Sequence, residues 1–371
     1  MPRPKPKPAW LGYALLVLLA GIALWQQRSG YTNPPPAGEV RLEAFFLPEQ
    51  EAAARRDLLA ALAACERSAD LALLTLNDTQ LGHAIAQTAA RGVRVRIFSE
   101  REHRADTLTT LLAGMNGQRS GRPQVRPQEA LARAVPLGEH CERLERVELC
   151  YDDRPGLMHH KFAVLDDREV WTGSTNWSYS GWHKNDNDLL RLEGAPAARL
   201  FHDAFAALWR RKARPPAPAT LAVAGGGELG VYFSPGHGEA ALARIVRELD
   251  RAASEVWVAA FVLTHPRILE ALNAAARRGV AVRVLLERRN LLDSREETLD
   301  PRVEVRSDAN PAAMHLKTMV VDDRVVVTGS FNFTRSAVVR NDETLLVLTQ
   351  PQLARRYKEV VWERWKRGRP R

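Results

Sequence analysis

This chain of 371 residues has little cysteine, and what it has is not spaced for metal. Its three cysteines include no C-x-x-C pair, which excludes the usual zinc-binding spacings. Apolar sequence of membrane length is scarce too. One run comes close, Trp10 to Trp25, and it is a little shorter than the ~20 residues that cross a bilayer untilted. No small-x-small cleavage site follows it, because Leu24, Trp25, Gln26 and Gln27 fit one poorly. No lipobox cysteine follows either. These absences favour an uncleaved anchor over residues 1–27, with a cleaved secretory signal as the rival. Tryptophan at both ends suits the two membrane interfaces, and Arg3, Lys5 and Lys7 predict an N-inside orientation. The remainder is then expected outside the cytoplasm, periplasmic or extracellular, and secreted if the segment is cleaved.

What is present is ordinary for a globular protein: 45% hydrophobic and 26% charged residues, enough for two domains with sizeable cores. The net charge of +9 suits a polyanionic partner, nucleic acid or an anionic lipid surface; a mildly basic exterior of no special purpose accounts for it equally well. Cys65 lies in the apolar helical pattern LLAALAACERS and reads as a buried thiol. Cys141 and Cys150 flank HCERLERVELC; an oxidising compartment would let them pair, and two free thiols are the alternative.

The chain divides at two breaks. Residues 28–39 form a Pro-rich linker with three consecutive prolines, and 213–229 form a second linker. Between and after them lie residues 40–212 and 230–371. Both halves read helix, strand, helix, strand at their start: DLLAALAACERSADLALLTL then QLGHAIAQTAARGVRVRIFSER in the first, ALARIVRELDRAASEVWVAAFVL then RILEALNAAARRGVAVRVLLER in the second. Gly92 and Gly279 are expected to terminate equivalent helices as C-cap glycines. Strands alternating with helices predict α/β sandwiches with a mixed sheet. The first half is longer: 67 positions separate Gly92 from His159, against 36 from Gly279 to His315. The surplus falls mostly within 102–157, rich in Arg, Gly, Gln and Pro. It reads as a long loop, functional or disordered, that leads into His159 and roofs the site; a surface insertion without a role is the competing reading.

The repeat is sharpest at HHKFAVLDDREVWTGSTN, 159–176, and HLKTMVVDDRVVVTGSFN, 315–332. Both fit H-x-K-x4-D-x6-G-S-x-N. His159, Lys161, Asp166, Gly173, Ser174 and Asn176 stand in register with His315, Lys317, Asp322, Gly329, Ser330 and Asn332. Each copy reads strand, tight turn, strand. Alternation along a strand points the His and Lys of each copy to one face and His160 to the other. Asp166 and Asp322, at odd offsets, are expected to hold the turn or bind a neighbouring backbone group.

The duplicated pattern resembles the HKD signature of the phospholipase D superfamily, and the resemblance covers both halves. It implies two α/β domains related by a pseudo-two-fold, a single chain acting as an internal pair and hence a monomer, with one site at their interface and no obligate protein partner. It implies phosphodiester chemistry without a metal or cofactor, and supporting rather than chemical roles for Asp166 and Asp322. Lys161 and Lys317 would offset the substrate's charge. Ser174, Asn176, Ser330 and Asn332 would donate to the phosphate oxygens, with Gly173 and Gly329 permitting close approach. One histidine would attack phosphorus and the other would shuttle the proton. The family commonly carries an acidic residue at the position of Glu343 that orients an imidazole; the first half has Asn187 there. The half-sites are therefore expected to differ. By resemblance to two-motif relatives, His159 is assigned as nucleophile and His315 as acid/base, and the reverse assignment stays open.

The motif reads a phosphodiester and no more. Phospholipid head groups are favoured as substrate because of the membrane segment and the aromatic cluster Trp171, Trp177, Tyr179 and Trp182. The rival is an exported or tethered endonuclease, to which GVYFSPG at 230–236 and the basic tail point. A transferase like cardiolipin synthase is disfavoured, since such relatives usually carry more membrane segments. A non-catalytic polyanion-binding protein ranks last, because both motifs are intact.

Overall fold

The computed structural model describes residues 38–371 apart from 212–213 and 292–293. The expected membrane segment lies outside the described residues, as does nearly all of the first linker. No helix among the described residues is long and apolar enough to cross a membrane.

The first half runs β1 (Glu39–Leu47), α1 (Glu51–Ala64), β2 (Ser68–Leu73), α2 (Thr79–Ala90), β3 (Arg94–Glu100), α3 (Arg104–Met115), α4 (Pro127–Arg133), β4 (Val135–Pro136), β5 (Cys141–Leu144), β6 (Val147–Asp152), β7 (Lys161–Leu165), β8 (Glu169–Gly173), α5 (Tyr179–His183), β9 (Asn187–Glu193) and α6 (Ala195–Trp209). After β10 (Ala219–Val223) the second half runs β11 (Glu228–Ser234), α7 (Gly238–Asp250), β12 (Glu255–Ala260), α8 (Pro266–Arg277), β13 (Ala281–Leu286), β14 (Glu304–Ser307), β15 (Lys317–Val321), β16 (Val325–Gly329), α9 (Arg335–Val339), β17 (Glu343–Leu348), α10 (Pro351–Arg367) and β18 (Arg369–Pro370).

The two sheets repeat one order. In the first it is β1-β9-β8-β7-β2-β3-β6, and in the second β11-β17-β16-β15-β12-β13-β14. In each, three neighbouring strands (β2, β3 and β6; β12, β13 and β14) pair in parallel, and the other pairings in the order are antiparallel. β2 and β12 are buried almost throughout, as strands covered on both faces must be. Gly92 and Gly279 end α2 and α8 with φ of 93° and 90°, the left-handed turn expected of them.

Both motif hairpins close through two residues at positive φ: Asp166 and Asp167 at 53° and 55°, Asp322 and Asp323 at 51° and 50°. This is the turn whose twist matches an antiparallel pair, and aspartate tolerates it. The Asp166 carboxylate then accepts from the backbone N–H groups of Glu66, Arg67 and Ser68 at 2.9, 2.7 and 3.0 Å. Asp322 does the same for Ala253, Ser254 and Glu255. Each turn is thus pinned to the entry of the central parallel strand.

One expectation needs correction. Segment 102–157 is not a long loop. Leu108, Leu111 and Leu112 bury one face of α3, and Gly82 and Gly114 let α2 and α3 touch backbone to backbone. β5 and β6 form a hairpin, Cys141 opposes Cys150 in it, and the two are disulfide-bonded. The Arg, Gly, Gln and Pro-rich stretch is confined to the connection between α3 and α4. The halves also share their core. Phe162, Phe201, Phe233, Val320, Tyr357 and Trp365 belong to one apolar cluster drawn from both, so the described residues make one compact unit.

Candidate active site

Each motif histidine sits one strand-step before its hairpin and is held by the opposite half. Met158 bridges to Asp342, and Met314 to Asp186, in parallel pairings. The His159 N–H donates to the Asp342 carbonyl and the His315 N–H to the Asp186 carbonyl, both at 2.9 Å. Both histidines are 6% exposed.

The imidazoles are fixed by proton geometry. The Ser330 hydroxyl accepts from Thr344 N–H at 2.9 Å, so its own hydrogen goes to Glu343 Oε2 at 2.6 Å. His159 Nδ1 reaches the same oxygen at 2.7 Å. Asn341 Nδ2 donates to Glu343 Oε1 at 3.2 Å. In the other copy Asn187 Nδ2 donates to the Gly181 carbonyl at 3.0 Å, which turns its Oδ1 towards the site. That oxygen accepts from Ser174 Oγ at 3.0 Å and from His315 Nδ1 at 2.8 Å. An amide oxygen only accepts, so His315 carries its proton on Nδ1. In both histidines Nε2 is left for chemistry.

Lys161 and Lys317 lie within the protein at 1% and 0% exposure. Each ammonium donates to the carbonyl of its own motif histidine at 2.6 Å, and Lys317 also sits 4.7 Å from the Phe261 ring centre. Burial lowers the Lys161 amine to about 7 against the pull of Glu343, and lowers Lys317 well below the ordinary range, with Lys161 adding to it. Burial, then the two lysines, pushes both imidazoles well below the usual histidine range. Burial raises Glu343 to about 7, opposed by Lys161 and by the Ser330 and Asn341 hydrogen bonds. The centre is short of negative charge, as a site for an anion should be.

The structure brings His159, Lys161, His315, Lys317, Asn187 and Glu343 together. The Asn176 and Asn332 carboxamide oxygens are buried and have no hydrogen-bond partner among the described residues. Two assignments change. The Ser174 and Ser330 hydroxyls are spent on Asn187 and Glu343 and have no hydrogen for a phosphate. Gly173 and Gly329 serve the sheet rather than a ligand: a Cβ there would lie 2.6 Å from the Asp188 carbonyl and 2.3 Å from that of Thr344. Asp166 and Asp322 lie at the far end of the hairpins. His160 faces away, bonded to Thr344 Oγ1 at 2.8 Å.

Sequence reasoning passed over an outer layer. Glu100 accepts from Met158 N–H at 2.8 Å and Glu287 from Met314 N–H at 2.6 Å. Their matched places in FSER and LLER were a legible signal. Asp342 pairs with Arg154 at 2.5 Å and Asp186 with Arg364 at 3.0 Å, each across the halves. Asp188, fully buried, accepts from Tyr357 Oη at 2.7 Å and from Thr328. These pairs join residues 140–188 apart, and no local pattern announces them.

The chain matches the family described as "Cardiolipin synthase, PLD-like domain" over residues 58–209 and 245–365. It belongs to the phospholipase D-like family. Both family matches contain an HKD copy. Among similar proteins, human mitochondrial cardiolipin hydrolase is 32% identical over 165 residues, 44% of this chain and 54% of that protein. Phospholipase D of Rickettsia felis is 35% identical over 116 residues, 30% of this chain and 58% of its own length. This phospholipase D-like chain thus spans little more than half the length of these relatives. The solved phosphatidylserine synthase of Haemophilus influenzae Rd KW20 has the same fold, with a TM-score of 0.62 at 11% identity, over 93% of this chain and 91% of that one.

Proposed function

We propose that the protein is a phosphodiesterase of the phospholipase D type that hydrolyses phospholipid head groups through a phosphohistidine. One observation carries this. Two buried imidazoles, each held at Nδ1 by the opposite half, share a centre with two ammonium groups. The similarity to a cardiolipin hydrolase and a phospholipase D favours lipid as the substrate.

In this reading the unequal partners of the histidines set their roles. The carboxylate behind His159 enriches its Nε2, which suits the nucleophile. The neutral amide behind His315 leaves its imidazolium the stronger acid. His159 Nε2 bonds to phosphorus as the P–O bond to the head group breaks, and His315 gives its proton to the departing oxygen. Water then enters on the same side. His315 takes its proton, oxygen bonds to phosphorus, and the P–N bond breaks. Lys161 and Lys317 stay on the non-bridging oxygens throughout. Binding of the anionic diester supplies the negative charge that the empty centre lacks, which lets His315 hold its proton.

The test is a metal-chelated assay with phospholipid vesicles and with single-stranded and duplex DNA, followed by an alkaline quench and peptide mass spectrometry. Lipid turnover is expected, with the phosphoryl group on His159. His159→Ala and His315→Ala are each expected to lose at least about a thousandfold, as loss of a nucleophile or its proton donor does. DNA cleavage without lipid turnover would replace this reading with the nuclease one. Phosphoryl on His315 would reverse the two roles.

A further inference from the structure

The first half contains a groove beside α3 and α4, helices that have no counterpart among the described residues of the second half. It encloses about 720 Å³ between the α3–α4 region and α5, within the 300–1,000 Å³ usual for small-molecule sites. Arg122 and Lys184 are exposed among its lining residues, and among the described residues neither pairs with a carboxylate. Asp106 is the one carboxylate lining it. Tyr179 is 52% exposed, and the Lys184 ammonium lies 5.5 Å from its ring centre. Val125 supplies apolar surface.

The groove is separate from the catalytic centre, and α5 is the partition. Tyr179 and Ser180 face the groove, while the next residue, Gly181, packs on the Asn176 carbonyl and holds Asn187.

We propose that this groove seats the phosphate head group of a second, unreacted anionic phospholipid and so docks the protein on its substrate's surface. The proposal rests on the lipid reading above. Two cations without a carboxylate partner among the described residues match a phosphate diester, and Tyr179 with Val125 suits the boundary between head groups and acyl chains. A nucleic acid backbone offers the same phosphate. It would call for a run of cations tracking a strand, whereas this groove has two beside an apolar wall.

The experiment uses the full chain in a His159→Ala background, so that nothing is consumed. Binding of dihexanoylphosphatidylglycerol below its micelle concentration is measured by calorimetry, and binding to phosphatidylglycerol vesicles by sedimentation. Duplex DNA is run in parallel. Arg122→Glu with Lys184→Glu is compared with Arg119→Glu with Arg126→Glu, the same charge change outside the groove lining. The groove pair is expected to weaken lipid binding about tenfold and the control pair less than twofold, with Tyr179→Ala giving an independent loss. Equal effects of the two pairs, or none from the groove pair, would overturn the proposal. So would weakened DNA binding with lipid binding intact. Turnover of a soluble chromogenic phosphodiester by the otherwise unaltered chain reports the catalytic reading separately. If that fails while groove-dependent lipid binding persists, the fault lies with the chemistry and not with the groove.

Discussion

Asn187 and Glu343 occupy equivalent places in the two copies, and one carries a charge that the other lacks. Each holds a histidine of the opposite half, so a substitution at either is read out at a defined imidazole. Glu343→Gln removes the anion behind His159. The imidazolium there loses stabilisation, so its pKa falls, and the acid limb of kcat/KM should move to lower pH. kcat should fall about 10- to 100-fold because Nε2 becomes less electron-rich. Asn187→Asp does the opposite at His315. An added anion raises that imidazolium's pKa, and the alkaline limb should move upward. A full pH–rate profile of each variant checks both signs; limbs that do not move would show that these partners set geometry alone. The difference between Asn187 and Glu343 was legible in the aligned copies. The loss of Ser174 and Ser330 as phosphate ligands was not. It depends on which way one hydroxyl hydrogen points, and that is decided by a backbone N–H fourteen residues away.

At the scale of elements, the hairpin turns do more than reverse the chain. Asp166 gathers three backbone N–H groups at the start of β2. Burial alone would raise its pKa, but those hydrogen bonds win and hold it below the usual carboxylate value. Its contribution to stability is therefore present above the unfolded pKa of about 4 and is lost as pH falls through the folded value. Asp166→Ala should cost about 2–4 kcal/mol at neutral pH, since it strands buried donors. The deficit should shrink in denaturant titrations below about pH 4. A deficit that stays constant with pH would mean that packing, not charge, is what is lost. The supporting role of this aspartate could be read from strand alternation, because a residue at an odd offset cannot share a face with His159. The α3–α4 insertion could not be read that way. Its Arg, Gly and Pro-rich connection dominated the local composition, while the contact that orders α3 is made between Gly82 and Gly114, far apart in sequence.

For the molecule as a whole, the shared core makes the halves interdependent. Tyr357 of the second half donates to the buried Asp188 of the first. Tyr357→Phe leaves that carboxylate short of a partner and should cost about 1–3 kcal/mol. Unfolding should remain a single transition, because one apolar cluster spans both halves. Two separated transitions would show that they fold as independent domains. Duplication and the alternation of helices with strands were visible in the repeat, and a site at the junction was implied by the family resemblance. The ties across the junction, Arg154 to Asp342 and Arg364 to Asp186, were not, because nothing near either arginine in the chain marks its partner. The buried charges at that junction have a consequence for turnover. A bound anion favours the protonated form of both buried amines, and Lys161, Lys317 and Glu343 then leave one net positive charge. A phosphodiester brings one negative charge and neutralises the centre. The phosphomonoester that the proposed hydrolysis would make carries nearly two near neutral pH and would overfill it. The chemistry itself would thus eject its product, and a methylphosphonate monoester, a single anion, should inhibit more strongly than inorganic phosphate at pH 8. Competition constants measured side by side decide this; stronger inhibition by phosphate would mean that the centre selects for charge rather than for its match.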